Sequence, residues 1–270
     1  MLEARELTKT FNPGTPNEVR ALQGASFELA EGSFTVIIGG NGSGKSSILN
    51  AIAGTFQVDD GCITLDGRDI TRWSESRRAQ LVGRVFQNPF SGTAPDMSIA
   101  ENLALAAQRG RRRGLRWALP RRLGAEMRDR VRPLNMGLED RLDTPIGSLS
   151  GGQRQALTLL MATWVRPRLL LLDEHTAALD PKSADQVIEL TAEIIESQGL
   201  TALMVTHSMH QAANLGDRLV MVNRGQILHD FSGAEKRRLK VPDLLDLFDE
   251  VRRMEQLDES TARMLKAAYV

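Results

Sequence analysis

The sequence lacks the features that mark exported, membrane-spanning and nucleic-acid-binding chains. Its 270 residues contain one cysteine, Cys62, which excludes an intrachain disulfide and favours a reducing compartment. No run approaches about 18 consecutive apolar residues, and no signal-peptide core is present, so we expect neither a membrane span nor export by the usual route. Basic and acidic residues balance at 34 each, so no net charge draws the chain toward nucleic acid.

What is present is an alternation of strand and helix patterns in a composition ordinary for a soluble α/β protein. Residues 1–30 predict short strands, broken by a turn cluster at Asn12–Asn17. Further predicted strands are Phe34–Ile38, Ile63–Leu65, Val82–Gln87, Leu169–Leu172, Leu200–Val205, and the hairpin Leu219–Val222 with Gln226–Leu228. Predicted helices follow at Ser46–Ala53, Ser98–Gln108, from Gly152 to Pro167, and from Asp180 to Ser197.

Residues 96 to about 165 interrupt this alternation, because they are mostly helical in pattern. We interpret them as an inserted helical subdomain. The insert contains a block with seven arginines and no acid, Arg109–Arg122, which includes Trp117. Such a block is compatible with a solvated surface, with a permease or anionic lipid surface, or with nucleic acid, in decreasing order.

A phosphate-binding loop follows the Phe34–Ile38 strand. Gly39 begins the pattern G-x4-G-K-S, which ends at Lys45 and Ser46. Glycines let the backbone wrap phosphates with its N–H groups, the lysine reaches the β and γ phosphates, and the serine hydroxyl binds Mg²⁺. An apolar strand before it and a helix after it provide the context that this pattern requires.

Two carboxylates end the Leu169–Leu172 strand. In doubly wound sheets, ligands bind at the carboxyl ends of strands. Asp173 is therefore a candidate for the water shell of Mg²⁺, and Glu174 for orienting and deprotonating an attacking water.

A second predicted phosphate cradle is the stretch Leu149–Gln155. Ser150 supplies an N-cap hydroxyl, and Gly151 and Gly152 supply unhindered N–H groups at a positive helix end. One nucleotide has one triphosphate, so two cradles on one chain favour a pair of chains that share their nucleotides.

With these motifs in this order, residues 1–232 resemble an ATP-binding cassette (ABC) ATPase. Walker A corresponds to Gly39–Ser46, the signature to Leu149–Gln153, Walker B to Leu169–Asp173 and the D-loop to Ala178–Asp180. The resemblance implies a P-loop α/β fold with a mostly parallel core sheet, an N-terminal antiparallel β-subdomain and an inserted helical subdomain. Residues 233–270 form a predicted helical tail that packs on its own core, contacts a second copy, or regulates.

The resemblance also implies roles for single residues. Gln87 becomes the Q-loop residue, a ligand of Mg²⁺ and a hinge to the helical insert, and His207 becomes the switch histidine at the γ-phosphate. Phe11 would stack on adenine, with a core residue of the β-subdomain as the alternative. The other implied contacts to ATP are Gly39, Asn41, Gly42, Ser43, Gly44, Lys45, Ser46, Ser47, Ser150, Gly151, Gly152 and Gln153. His175 stands where the family commonly has proline, and it either fills space or touches the D-loop.

The expected function is ATP hydrolysis that opens and closes a homodimer at the cytoplasmic face of a membrane. Motion would pass to separate integral membrane permease subunits, served by an extracytoplasmic substrate-binding protein. The resemblance is to bacterial importers, within a subgroup some of whose members are assigned to aromatic amino acids. Alternatives are an exporter, a non-transport ATPase acting on ribosomes or DNA, and a regulatory module without turnover. Glu174 argues against the last, and the single cassette without heptads argues against ribosomal and DNA-acting members.

Overall fold

The computed structural model describes residues 1–110 and 121–253, except the side chains of residues 121–123. Ten strands occur in this part of the chain: β1 (Leu2–Phe11), β2 (Val19–Leu29), β3 (Phe34–Ile38), β4 (Asp60–Leu65), β5 (Arg68–Asp69), β6 (Val82–Val85), β7 (Leu169–Asp173), β8 (Ala202–Val205), β9 (Arg218–Asn223) and β10 (Gln226–Ser232). The α-helices are α1 (Lys45–Ala53), α2 (Glu75–Arg78), α3 (Ile99–Ala107), α4 (Arg121–Val131), α5 (Gly151–Thr163), α6 (Pro181–Gln198), α7 (Met209–Asn214), α8 (Gly233–Arg238) and a final helix over residues 241–253.

The strands form two sheets. A four-stranded antiparallel sheet has the order β2-β1-β4-β5, and a six-stranded sheet has the order β10-β9-β3-β8-β7-β6. In the larger sheet β10 is antiparallel to β9, and the other pairs are parallel. The carboxyl ends of β3, β6, β7 and β8 therefore meet at one edge. This agrees with the predicted α/β class and its mostly parallel core.

The four leucines of β7 are fully buried because helices cover both faces of the large sheet. Leu169 and Leu171 pack with α1 and the small sheet, while Leu170 and Leu172 pack with α3, α4, α5 and α6. A strand that is buried on both faces requires consecutive apolar residues rather than an alternation of apolar and polar ones. Parallel neighbours β6 and β8 complete its hydrogen bonds.

The sequence expectations differ from the structure at three places. Residues 1–30 were expected as short strands, but β1 and β2 have 10 and 11 residues and pair along their lengths through β-bulges. Strand β6 ends at Val85, so Phe86 and Gln87 lie in the following loop. Helix α5 ends at Thr163, before Pro167, and it is buried on nearly all sides.

Between β6 and β7, the described residues are largely helical and contain α3, α4 and α5. The capping box at Ser98 and Glu101 opens α3 as predicted. Residues 111–120, which hold most of the arginine block and Trp117, lie outside the described residues.

The final helix packs on the core sheet of its own chain. Leu244 is fully buried against β3, β9 and α7, and Leu247, Phe248 and Val251 pack around it. Across residues 1–110 and 121–253, no helix is both long and apolar enough to cross a membrane.

Candidate nucleotide site

The loop from β3 to α1 has a backbone that requires glycine. Gly42 and Gly44 have φ angles of 74° and 105°, in the left-handed region that L side chains rarely adopt. A Cβ on Gly44 would also lie 2.7 Å from the Ala21 carbonyl oxygen, and one on Gly39 would collide with the Val222 carbonyl. By contrast, a Cβ on Gly40 would meet nothing within 4 Å, so the loop faces open space there.

The start of α1 is left free for a ligand. Its N-cap is Gly44, which makes no side-chain hydrogen bond to the helix. The first N–H groups of the helix therefore receive no acceptor from an N-cap side chain, and they lie at the positive end of the helix dipole. This arrangement fits a bound phosphate.

Lys45 supplies a buried cation at the same place. Its side chain folds back so that Nζ donates to the carbonyl oxygens of Gly39 (2.9 Å) and Gly40 (2.8 Å). Burial lowers the pKa of Lys45, while the nearby charges of Glu174 and Asp173 act to raise it. The Ser43 hydroxyl is buried without a partner among the described residues. An ammonium beside an unpaired hydroxyl and open loop backbone is a donor set suited to phosphate oxygens.

Glu174 and His207 form a pair at the carboxyl edge of the sheet. His207 Nε2 lies 2.6 Å from Glu174 Oε1, and their side chains are 44% and 12% exposed. Glu174 has a φ of 45°, which costs energy for a residue with a Cβ and is typical of functional positions. Its N–H donates to the Val205 carbonyl at the end of β8, so the strained turn directs the carboxylate toward the strand end that carries His207.

Asp173 has a partner that the sequence analysis missed. Its carboxylate Oδ2 accepts from Nη2 of Arg84 on β6 at 3.0 Å, and the two side chains are 15% and 13% exposed. The same nitrogen donates to Asn50 Oδ1 on α1 at 2.7 Å. The sequence carried no signal for this contact, because it depends on β6 lying beside β7.

The predicted metal residues all offer oxygen donors at one edge of the sheet. Ser46 is exposed at the start of α1, Gln87 is exposed just after β6, and Asp173 ends β7. Within the described parts of the chain, no three His, Cys, Asp or Glu residues cluster as metal ligands. A few oxygen donors that share the ion with phosphates and waters suit Mg²⁺. The residues therefore fit this ion.

The start of α5 is capped by its own side chains. Ser150 Oγ accepts from the Gln153 N–H, and Gln153 Oε1 accepts from the Ser150 N–H, each at 3.2 Å. Ser150 and Gly151 are exposed. The contact of Gly152 with ATP stays a prediction, and packing within the chain gives a second reason for this glycine: a Cβ there would lie 2.9 Å from Ser183 Cβ on α6.

Two side chains of α5 that sequence reasoning missed hold the loop after β6. The guanidinium of Arg154 donates to the carbonyls of Ile146, Gly147 and Leu149 and lies 3.8 Å from the centre of the Phe90 ring. Gln155 donates to the Phe86 carbonyl at 3.3 Å. The segment with Gln87 is thus attached to the signature helix on both sides.

The signature does not line the cavity beside the phosphate loop of its own chain. A cavity of about 450 Å³ lies beside the loop, and its described lining residues include Gly40, Asn41, His207, Phe248 and Arg252. Residues 149–153 are absent from that described lining. The second cradle is therefore not part of that cavity, and its residues Ser150 and Gly151 are exposed to solvent.

The remaining sequence predictions have mixed outcomes. Phe11 is half-buried at the end of β1, where its ring meets Phe56 edge to face at 5.2 Å, and its contact with adenine stays a prediction.

His175 is buried, and its Nε2 contacts the Thr191 hydroxyl at 3.0 Å, which agrees with a space-filling role. Burial lowers the pKa of His175 to about 4. Arg109 is not a solvated surface residue, since it donates to the carbonyls of Ala162 and Val165.

Comparison with known proteins gives a consistent result. A family model described as ABC transporter matches residues 22–177. The chain is 42% identical to a tyrosine transport ATP-binding protein of Clostridioides difficile, over 92% of this chain and 99% of the relative. It is 36% identical to a lipoprotein-releasing system ATP-binding protein of Caulobacter vibrioides, over 82% and 92%. A dimeric ATP-binding cassette solved in a post-hydrolysis state with ADP and Pi superposes with a TM-score of 0.74 at 25% identity, covering 86% of this chain and 98% of that one.

Proposed function

The chain belongs to the ABC transporter family as an ATP-binding subunit with ATPase activity, and from that premise we propose that it powers solute import through a separate membrane permease. The observation that carries the hydrolysis step of this proposal is the pairing of a strained Glu174 with His207 at the sheet edge that also bears the phosphate loop. A degenerate, non-hydrolysing site has no use for such a pair.

Two copies of the chain complete each site in this proposal. The loop and Lys45 of one copy hold the triphosphate, and the exposed Ser150 and Gly151 of the other contact the γ-phosphate. Ser150 Oγ accepts from the helix with a lone pair, which leaves its proton for a phosphoryl oxygen. Each copy offers both faces, so a two-fold dimer closes with two shared nucleotides.

Glu174 accepts the proton of the attacking water, and His207 holds the carboxylate and donates toward the γ-phosphate once that phosphate is present. Ser46, Gln87 and Asp173 are the residues that would hold Mg²⁺. When bound, Mg²⁺ neutralises charge on the phosphate oxygens. Loss of the γ-phosphate removes the contact to the second copy, and the dimer opens.

A groove of about 660 Å³ is the surface that we assign to the permease. It lies between α2, β6, α3 and α5, and Phe86 and Asn88, on either side of Gln87, line it. Leu105 at the groove is 53% exposed. An apolar helix of a membrane subunit seated here would touch the loop that leads to the nucleotide, and the chain would then lie at the cytoplasmic face of the membrane.

Import of an amino acid is supported by the tyrosine transport relative, which matches the chain along nearly its whole length. The lipoprotein-releasing relative favours the second candidate, an ATPase that extracts a substrate rather than importing one. Purification from membranes in mild detergent separates these functions. Co-purification with a permease and dependence of ATPase activity on a substrate-binding protein support import, whereas recovery with ribosomes or DNA contradicts both.

The ATPase cycle is tested with Glu174→Gln. We expect turnover to fall by about 10²-fold or more and the variant to run as a dimer in size exclusion with ATP and Mg²⁺. His210→Gln is the matched control, because His210 is exposed on the helix that follows His207. A Glu174→Gln variant that hydrolyses ATP at the wild-type rate would refute the assignment.

A further inference from the structure

Arg84 is a charged side chain near the nucleotide site that is not among the residues assigned to ATP, Mg²⁺ or the attacking water. It lies on β6 and is 13% exposed, and its guanidinium reaches three separate elements. Nη2 contacts Asp173 on β7 and Asn50 on α1, Nη1 lies 3.3 Å from Thr55 Oγ1 after α1, and the group lies 4.6 Å from the centre of the Phe86 ring. These contacts hold the guanidinium from four directions.

This arrangement sets the orientation of the Asp173 carboxylate. Arg84 occupies Oδ2, which leaves Oδ1 as the oxygen that can face a metal and its waters. Arginine suits such a position because its planar fork can hold a carboxylate and a second acceptor together. Within the described residues, Arg84 is the one side chain hydrogen-bonded to Asp173.

Arg84 also lines the groove that we assign to the permease. Asp173 does not appear among the described residues that line the groove, so the guanidinium lies between the groove and the carboxylate. We propose that Arg84 is a positioning residue that orients Asp173 for Mg²⁺ and forms a direct connection between the partner groove and the metal side of the site. The connection to the groove rests on the proposed function.

Two physical effects of Arg84 on the metal oppose each other. Its positive charge repels Mg²⁺, while its hydrogen bond holds a metal-binding carboxylate in place. Removing groups that orient metal ligands typically weakens metal affinity 10- to 100-fold. Oxygens of ATP offset the repulsion with several negative charges, so orientation is the larger effect.

The test compares Arg84→Met and Arg84→Lys with Arg109→Met. Arg109 lines the same groove, and its hydrogen bonds within the described residues go to the carbonyls of Ala162 and Val165, so it is a matched control. Binding of a fluorescent ATP analogue to the isolated chain is titrated first in EDTA and then with increasing Mg²⁺. We expect metal-free binding to stay within about twofold of wild type, and the Mg²⁺ concentration at half-maximal effect to rise about tenfold in Arg84→Met and less in Arg84→Lys.

An unchanged or lower Mg²⁺ requirement in Arg84→Met would overturn the proposal, and a lower one would identify Arg84 as a competitor of the metal. If Arg84→Met does not fold, Arg84→Lys and Asn50→Ala decide the matter, since Asn50→Ala loosens the guanidinium without removing its charge and should raise the requirement by a smaller factor. The titration uses no membrane protein. Failure to recover a permease would therefore contradict the assignment of the groove to a permease, but it would not affect the measured Mg²⁺ requirement.

Discussion

The two helix starts that face phosphates in this account are built in opposite ways. Helix α1 begins at Gly44, without any side-chain cap, behind a buried lysine. Helix α5 begins at Ser150 with a complete capping box. The first start offers its N–H groups to a ligand without competition from a side-chain cap, whereas the second is capped by its own side chains and is exposed.

The largest loss of ATP hydrolysis should come from a substitution at the uncapped start of α1. Lys45→Ala removes the cation that holds the Gly39 and Gly40 carbonyls and faces the phosphates. We expect ATP hydrolysis to fall by about 10²–10³-fold, together with weaker nucleotide binding. Steady-state kinetics and fluorescence binding measure the two quantities. Tight nucleotide binding in this variant would mean that the loop does not rely on Lys45.

A substitution at the capped start of α5 should affect ATP turnover but not nucleotide binding. In Ser150→Arg a large cation replaces the exposed cap, so the second copy can no longer approach. Nucleotide binding by the monomer should remain within about twofold of wild type while turnover falls about 10²-fold and the ATP-dependent dimer disappears. Ser148→Arg, two residues earlier and also outside α5, is the control. Normal hydrolysis by Ser150→Arg would show that nucleotides are not shared between copies.

Adding one methyl group to a glycine near each helix start tests whether that glycine is required for packing or for phosphate binding. Gly152→Ala brings a Cβ to 2.9 Å from Ser183 Cβ, so its overpacking should lower the free energy of unfolding by about 1–3 kcal/mol. Gly40→Ala meets open space and should change stability by about 0.5 kcal/mol or less, while its methyl group obstructs phosphate. Urea denaturation with and without nucleotide distinguishes the two. Equal stability of both variants would contradict the packing reason for Gly152.

The last prediction concerns low pH, which should lower the free energy of unfolding through His175, a buried residue that contacts the helix packed against the start of α5. His175 contacts Thr191 of α6, and α6 packs against Gly152. Its folded pKa of about 4 is below the usual 6.5, so its contribution is complete above about pH 6.5 and is lost as pH falls toward 4. Between pH 7.5 and 5.5 the free energy of unfolding should fall by about 1 kcal/mol.

The His175→Gln variant should lose this part of the pH dependence, because glutamine does not titrate. His210→Gln should retain it, since His210 is exposed. Chemical denaturation at the two pH values measures both. Identical slopes in the two variants would show that burial of His175 does not set the pH dependence.

The sequence predicted the parts of the molecule that short-range patterns determine. The phosphate loop, the boundaries of β3 and α1, the cap of α5 and the hairpin of β9 and β10 follow from residues within a few positions of each other. The contacts between distant segments did not follow. Arg84 reaches Asp173 only because β6 lies beside β7, and Arg154 reaches Phe90 only because α5 packs on the loop after β6.

Gly152 shows that one residue can meet two requirements. Its place in the signature predicts a backbone kept clear for phosphate, which stays a prediction, and the close approach between α5 and α6 demands the same residue. Gly151 is different, because it is exposed and a Cβ there would touch only the flexible Leu179 side chain at 3.0 Å.

The position of the final helix offers a practical means of observation. Arg252 is exposed, yet it borders the same cavity as Gly40 and His207. An environment-sensitive dye attached through a cysteine introduced at this position would sit beside the arriving nucleotide without altering the phosphate loop. Position 252 thereby allows the nucleotide cycle to be followed in real time.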